Sequence, residues 1–320
     1  MLNLAKLAVV TLVCLQVVSV SGNILQQQHK YVPTQVKTGG ATSSTAQPRP
    51  VPDSWKNYQQ LAVMAQDSNC KNTKINDTLG DATLLYKFGD DNVNQYMHVF
   101  HSKSMGVTFS WAGLNLSNLD ALASVVDLPL VDANKTLYPN AEEGTQLYQG
   151  FQSAYGRVAD IVQEKALEYT KKYNDNRVSF TGLSFGAALS ALSSVHIHHV
   201  LAGKVKVHKV VVFGLPRIGN QAWANTVDRD LKGTFYYTVN GADPLSRLPP
   251  RFLGYQQSSG QLYIKPANST QVKFYPGQEN VHGSDADIGL DIQDHTGVYF
   301  SVAVGGSFGP CPAKIPSALQ

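Results

Sequence analysis

Between residues 97 and 239, short β-rich runs alternate with longer helical patterns, and that order restricts the chain to few architectures. Met97 to Phe100 and Val107 to Ala112 are β-rich. From Gly150 to Tyr173, the residues Phe151, Tyr155, Val158, Ile161, Val162, Ala166 and Tyr169 recur at helical spacing, the stripe of an amphipathic helix. Val178 to Thr181 reads as a strand, Ala187 to Leu201 as a helix, Val205 to Phe213 as an apolar strand and Thr234 to Val239 as a further strand. Parallel strands need such crossovers, and the crossover helices then cover both faces of the sheet. The expectation is an α/β domain over residues 54–320, its central sheet mostly parallel and flanked by helices.

The segments before residue 54 are of other kinds. Lys6 precedes an apolar stretch from Leu7 to Val20, followed by the small Ser21 and Gly22, which is the layout of a secretory signal peptide over residues 1–22. That stretch is short for a membrane span and is broken by Gln16; no later run is long and apolar enough. No transmembrane segment is therefore expected after removal of the signal, and the protein is expected to be secreted and extracellular. Residues 23–53 combine a Gln run, Gly39-Gly40, a Ser/Thr cluster and Pro48, Pro50 and Pro52, with few apolar side chains. Such a segment buries too little surface to offset chain entropy, and a disordered pro-segment or linker is expected. Cys14 leaves with the signal. Cys70 and Cys311 remain, an even pair read as one disulfide in an oxidising compartment. Closing so long a loop contributes about 3–5 kcal/mol in the chain-entropy account. Sequons at Asn76, Asn115, Asn134 and Asn268 are compatible with export. A net charge of +3, with no Lys/Arg block interleaved with aromatics, argues against nucleic acid as a partner.

The pattern G-x-S-x-G, which sets a serine on a sharp strand-to-helix turn, occurs twice: Gly182-Leu183-Ser184-Phe185-Gly186 and Gly305-Gly306-Ser307-Phe308-Gly309. Ser184 follows the strand Val178–Thr181 and precedes Ala187-Ala188-Leu189-Ser190-Ala191-Leu192, a strong helix start. Ser307 is trailed by Pro310, Pro312 and Pro316, which forbid a helix. A nucleophilic serine also needs a base and an acid, which in this fold follow it along the chain, and no histidine lies beyond His295. Ser184 is the candidate nucleophile and Ser307 a Gly-rich turn.

Among the later histidines, His196, His198 and His199 sit on the helix after Ser184 and read as a solvated helix end; His208 begins a strand. His282 and His295 remain as candidate bases. His295 is favoured because it lies between a polar loop and the apolar Val298-Tyr299-Phe300, which can brace it. Asp243 follows the strand Phe235–Val239, at the carboxyl end where catalytic groups collect in parallel sheets. The rival reading is a turn-initiating Asp before Pro244. Asp285, Asp287, Asp291 and Asp294 read as a solvated loop, and they miss the spacing of a calcium loop. No metal or cofactor is implied.

Taken in order, these pieces resemble the fungal class 3 lipase family of α/β hydrolases, which includes filamentous-fungus triacylglycerol lipases and feruloyl esterases. The resemblance runs from about Val107 to Phe300. It rests on Trp111-Ala112-Gly113, Gly150-Phe151, the Ser184 pentapeptide, Gly214-Leu215-Pro216-Arg217-Ile218-Gly219-Asn220, Asp243-Pro244 with Leu248-Pro249-Pro250, and Asp294-His295 before Tyr299-Phe300. It implies an α/β-hydrolase fold and a triad of Ser184, Asp243 and His295. It also implies an oxyanion hole from the backbone N–H groups of Phe185 and Leu114, where relatives usually carry Thr or Ser at the second place. Leu183 and Ala187 likewise replace a usual His and Gly. A short helical lid is implied after the oxyanion strand, and Leu116, Leu119, Leu122 and Val126 give it an apolar face. The implied activity is hydrolysis of carboxylic esters, foremost of triacylglycerols, through an acyl-enzyme on Ser184. The substrate is a lipid or other ester, met at a lipid–water interface. A feruloyl-type esterase and a secreted lipid-binding pseudo-hydrolase are the alternatives, the latter motivated by Leu114.

Overall fold

The computed structural model describes residues 42–90, 94–114, 129–305 and 309–320. The lid residues Leu116, Leu119, Leu122 and Val126, the sequon at Asn115, Ser307 and residues 1–22 lie outside the described residues.

The strands are β1 (Thr78–Leu79), β2 (Ala82–Phe88), β3 (Met97–Ser102), β4 (Gly106–Trp111), β5 (Leu130–Asp132), β6 (Gln146–Tyr148), β7 (Arg177–Leu183), β8 (Lys206–Phe213), β9 (Phe235–Asn240), β10 (Gln261–Ile264), β11 (Val272–Tyr275), β12 (Gly297–Tyr299) and β13 (Val302–Val304). The helices are α1 (Trp55–Asp67), α2 (Gln149–Gly156), α3 (Ala159–Tyr173), α4 (Phe185–Val200) and α5 (Gln221–Asp230). Nine strands form one sheet in the order β1-β2-β3-β4-β7-β8-β9-β10-β11. Its centre, β4-β7-β8-β9-β10, is parallel, and both flanks are antiparallel.

Strand alternation divides the core. On β8, Val210 and Val212 join an apolar cluster shared with α2, α3, α4 and α5, whereas Val211 and Phe213 join one shared with α1 and the β12–β13 hairpin. Burial on both faces is why the second half of β8, from Val210 to Phe213, reads as a continuous apolar run. The polar residues of β7 are satisfied locally: Ser179 Oγ donates to Met105 O at 2.7 Å and Thr181 Oγ1 to Leu61 O of α1 at 3.2 Å.

The long helix expected over Gly150–Tyr173 is two helices, α2 and α3, broken at Arg157–Val158. The break follows Gly156, a poor helix former. The three histidines on α4 are not a solvated end. His196 and His199 are buried: Tyr155 Oη lies 2.6 Å from His196 Nδ1, and Asp230 Oδ2 lies 2.7 Å from His199 Nε2. Burial pushes the His196 pKa down to about 4, so its ring is neutral. Tyr155 of α2 and Asp230 of α5 thus cover the far end of α4.

The segment expected to be disordered over residues 23–53 is described from Thr42 onward, and there it lies extended against the domain. Arg49 and Phe274 exchange two backbone hydrogen bonds of 2.8 Å, which extends the sheet beyond β11. Ser44 N donates to Gln278 O at 2.8 Å, and Asp53 pairs with Lys209 at 2.6 Å. Composition could not reveal this, because main-chain pairing to a sheet edge asks little of the side chains. Cys70, just beyond α1, is joined to Cys311 by a disulfide that spans 241 residues. The neighbouring Gly305 and Gly309 pack on Gln66 of α1, with Gly305 N donating to Gln66 Oε1 at 2.8 Å.

Candidate active site

Ser184 stands between the end of β7 and the start of α4 with φ 59° and ψ −119°, a strained conformation for a side chain that branches from Cα. Its N–H donates to Phe213 O of β8 at 2.9 Å, which pins the turn to the sheet. The flanking glycines are required by close approach. A Cβ on Gly182 would lie 2.7 Å from Trp111 O, and one on Gly186 would strike the carbonyls of Trp111 and Ala112. The first N–H groups of α4 face this turn, where the helix dipole favours negative charge.

Asp243 follows β9 and is fully buried. Its Oδ1 accepts from Leu245 N at 2.9 Å, and its Oδ2 accepts from Ser246 Oγ at 2.7 Å. The same Oδ2 lies 3.0 Å from His295 Nδ1. Burial raises the Asp243 pKa, but His295 and the three hydrogen bonds outweigh it and hold the carboxyl below its ordinary value, ionised. Gly214 makes room for the imidazole: a Cβ there would lie 2.7 Å from His295 Cε1. His295 is buried, and its other nitrogen, Nε2, has no hydrogen-bond partner among the described residues. His282 is exposed, with its ring beside Gln47.

Several residues that hold His295 carried no motif. Asn240, the last residue of β9, donates through Nδ2 to Asp294 O at 2.9 Å and accepts from Asn268 N at 2.8 Å. Asp294 Oδ2 accepts from Ala242 N at 2.7 Å, and Tyr299 Oη donates to His295 O at 3.0 Å. The acidic loop is thus engaged rather than merely solvated, since Asp287 also accepts from Tyr263 Oη at 2.8 Å and pairs with Lys265 at 2.9 Å. Asp294 and Tyr299 could have been suspected from sequence, by their places beside His295 and in the apolar run that follows it.

Phe185 is buried at the head of α4 with its ring edge-on to Phe151 at 5.3 Å, and Leu114 is half-buried against the same apolar cluster. Gly113 packs over Leu183, the residue before Ser184, with Leu183 O 3.4 Å from where a Cβ would stand. Phe185 thus follows Ser184 directly, and Gly113, the residue before Leu114, packs beside the turn. An ionised acid, an imidazole oriented by it, a serine on a strained turn and N–H groups at a helix start can together drive acyl transfer.

The model of the family described as lipase (class 3) matches residues 109–253. A secreted mono- and diacylglycerol lipase of Malassezia restricta is 47% identical over 286 residues, covering 89% of this chain and 90% of that relative. The chain belongs to the class 3 lipase family. A further lipase of this family, a secreted mono- and diacylglycerol lipase of Malassezia globosa, is 48% identical over 286 residues, or 89% of this chain and 91% of that relative. The fold matches a lipase of Rhizopus microsporus var. chinensis with a TM-score of 0.69 at 21% identity, covering 86% of this chain and 97% of that one. A Yarrowia lipolytica lipase gives a TM-score of 0.69 at 20% identity, with 82% and 98% covered. The chain is an α/β-hydrolase and, as a class 3 lipase, a serine carboxylic-ester hydrolase.

The motif residue Arg217 has a structural part in this lipase. Buried, it forms a bidentate pair with Glu279 at 2.7 and 2.8 Å, reaches Asp285 at 2.9 Å, and donates to Pro249 O at 3.2 Å and to Arg247 O, bracing the connection after Asp243. Burial raises the Glu279 pKa, but Arg217 outweighs it and holds that carboxylate below its ordinary value. Burial and then the neighbouring Glu279 push Asp285 up to about 6. A carboxyl whose folded pKa lies above its unfolded value stabilises the fold in acid, and that contribution is lost as the pH rises through the folded value. The wild-type thermal midpoint is therefore expected to decline, relative to that of Asp285→Asn, as the pH rises from 3.8 to about 6. Parallel midpoint curves for the two proteins would contradict this account of the cluster.

Proposed function

We propose that this lipase hydrolyses acylglycerols at a lipid–water surface, with mono- and diacylglycerols preferred, through an acyl-enzyme on Ser184. One observation carries the reading: His295 holds Asp243 through Nδ1 and leaves a buried Nε2 without a partner among the described residues. An imidazole oriented at one nitrogen and unengaged at the other is prepared to take a proton from an alcohol. His295 deprotonates Ser184 Oγ, which attacks the ester carbonyl, and the Phe185 and Leu114 N–H groups receive the oxyanion. His295 then protonates the departing glycerol oxygen. Water, activated by the same imidazole, releases the fatty acid, and Asp243 stabilises the imidazolium at each step.

The preference for partial glycerides is supported by the two relatives near half identity, both named for mono- and diacylglycerols. Action at a surface is supported by the loop before His295, where Ile288 is 97% exposed and Leu290 75%. Part of the backbone of this tip is engaged from within: Arg247 donates to Asp287 O and Gly289 O, and Asp291 N donates to Ala242 O at 3.0 Å. Two aliphatic side chains so exposed on one tip can bury their apolar surface in a lipid phase. Export belongs to the same proposal, supported by relatives named as secreted and by the Cys70–Cys311 disulfide. No helix among the described residues is long and apolar enough to cross a membrane.

Turnover of emulsified monoolein, diolein and triolein by the purified protein tests the substrate reading. Monoolein and diolein are expected to be cleaved faster than triolein, and the reverse order would restore a triacylglycerol lipase. The double variant Ile288→Ser/Leu290→Ser is expected to lose at least about tenfold on emulsified diolein, since each aliphatic side chain contributes up to about 1.5–3 kcal/mol when fully buried. It should keep its rate on soluble p-nitrophenyl butyrate, and equal losses on both would sink the surface role of this loop.

A further inference from the structure

We infer that Gln95 is a positioning residue that aims the Leu114 N–H at the oxyanion. This inference rests on the catalytic reading above. The side-chain amide of Gln95 donates to Ala112 O at 2.8 Å and also to Gly113 O. Both carbonyls at the end of the oxyanion strand are thus drawn to one amino group, which has a hydrogen for each. The peptide between Gly113 and Leu114 is planar, so fixing its C=O on one side points its N–H to the other. Asn69 completes the clamp from that opposite side: its Oδ1 accepts from Gly113 N at 3.0 Å, while its own Nδ2 donates to Ala65 O of α1 at 2.8 Å.

The fold brings Gln95 to this place by continuing the β3–β4 pairing. Ala112 N donates to Tyr96 O at 2.9 Å, one step past the last paired residues, Met97 and Trp111, which sets Gln95 beside Gly113. The same ribbon crosses Leu183 at van der Waals distance, so a rotation of the 113–114 peptide shifts a donor relative to Ser184. Leu114 brings no side-chain hydroxyl to this place, so backbone orientation alone supplies its donor. The ordinary role for such a glutamine is to satisfy two loop carbonyls, which predicts a stability effect and nothing more. A positioning role predicts a loss confined to the charged tetrahedral state.

The test compares wild type, Gln95→Leu and the isosteric Gln95→Glu on p-nitrophenyl butyrate. It adds inhibition by an alkyl boronic acid, which becomes tetrahedral on a serine, and thermal midpoints. Both variants are expected to lose between about 10- and 100-fold in kcat, up to the effect of removing one oxyanion donor. KM should stay within about twofold, and boronate affinity should fall in step with kcat. A second signature belongs to Gln95→Glu, whose carboxylate repels both carbonyls until it is protonated. Its kcat relative to wild type should recover as the pH falls toward the ordinary carboxyl range of about 4. Unchanged kcat in a folded variant, or a loss that follows only the thermal midpoint with no pH recovery, would overturn the inference. Phosphonate labelling of wild-type Ser184 separates the two readings: a labelled serine with an indifferent Gln95 removes this inference alone, whereas an unlabelled serine removes the catalytic reading itself.

Discussion

Ser184→Ala and Ser184→Gly are both expected to lower kcat on a soluble ester by about 10⁶-fold, and the glycine variant is expected to be the more stable of the two. The loss follows from removing the group that carries the acyl chain in the proposed mechanism while its base stays in place. The stability difference follows from the backbone. Ser184 holds φ 59° and ψ −119°, a region costly for any residue with a Cβ, by about 1–3 kcal/mol. Alanine retains that cost. Glycine removes it at an entropic cost of about 0.5–1 kcal/mol in the unfolded chain, which leaves a gain of about 1 kcal/mol. Calorimetry of the two variants reads this directly. A glycine variant that melts below the alanine variant would mean that the turn is not strained.

The second large effect is expected from Asp243→Asn, with kcat reduced by about 10⁴-fold and little change in fold. The carboxylate is surrounded by donors, with Leu245 N on one oxygen and Ser246 Oγ and His295 on the other. An amide must turn one of those positions into an N–H donor. With the amide oxygen kept on Leu245 N, the amino group faces His295 Nδ1 and drives the ring proton to Nε2. That nitrogen then cannot accept from Ser184. Ser246 can rotate its hydroxyl to accept instead, so the packing is preserved and the loss is one of tautomer. Steady-state rates on p-nitrophenyl butyrate check it, and a reduction smaller than about tenfold would remove Asp243 from the mechanism.

What the sequence disclosed and what it hid follow a physical division. The parallel centre was legible because β8 from Val210 to Phe213 is buried on both faces and apolar throughout, and because Gly182 and Gly186 answer to steric limits that no other residue meets. Asp243 and His295 drew notice through their places after β9 and before Val298-Tyr299-Phe300. The fine structure of the site was not legible. Asn240, Asn268 and Gln95 act through hydrogen bonds to distant backbone, which leave no periodicity. Helix α1 escaped notice because its buried surface includes Gln59, Gln60 and Gln66, of which the Gln60 and Gln66 amides find partners only in the folded chain. The extended stretch before α1 read as disordered for the same reason, since its order comes from main-chain pairing with β11. The buried His196 and His199 misled because a histidine's polarity says nothing of a buried tyrosine or aspartate waiting for it.

The claim that acyl transfer runs through Ser184, activated by His295 and Asp243, is tested most directly by mapping the adduct of a fluorophosphonate on the purified protein by peptide mass spectrometry. The account predicts modification of the peptide that contains Ser184, absent in Ser184→Ala and greatly slowed in Asp243→Asn. An adduct on the second serine motif at Ser307, or an unmodified Ser184 in a protein that still hydrolyses esters, would contradict it.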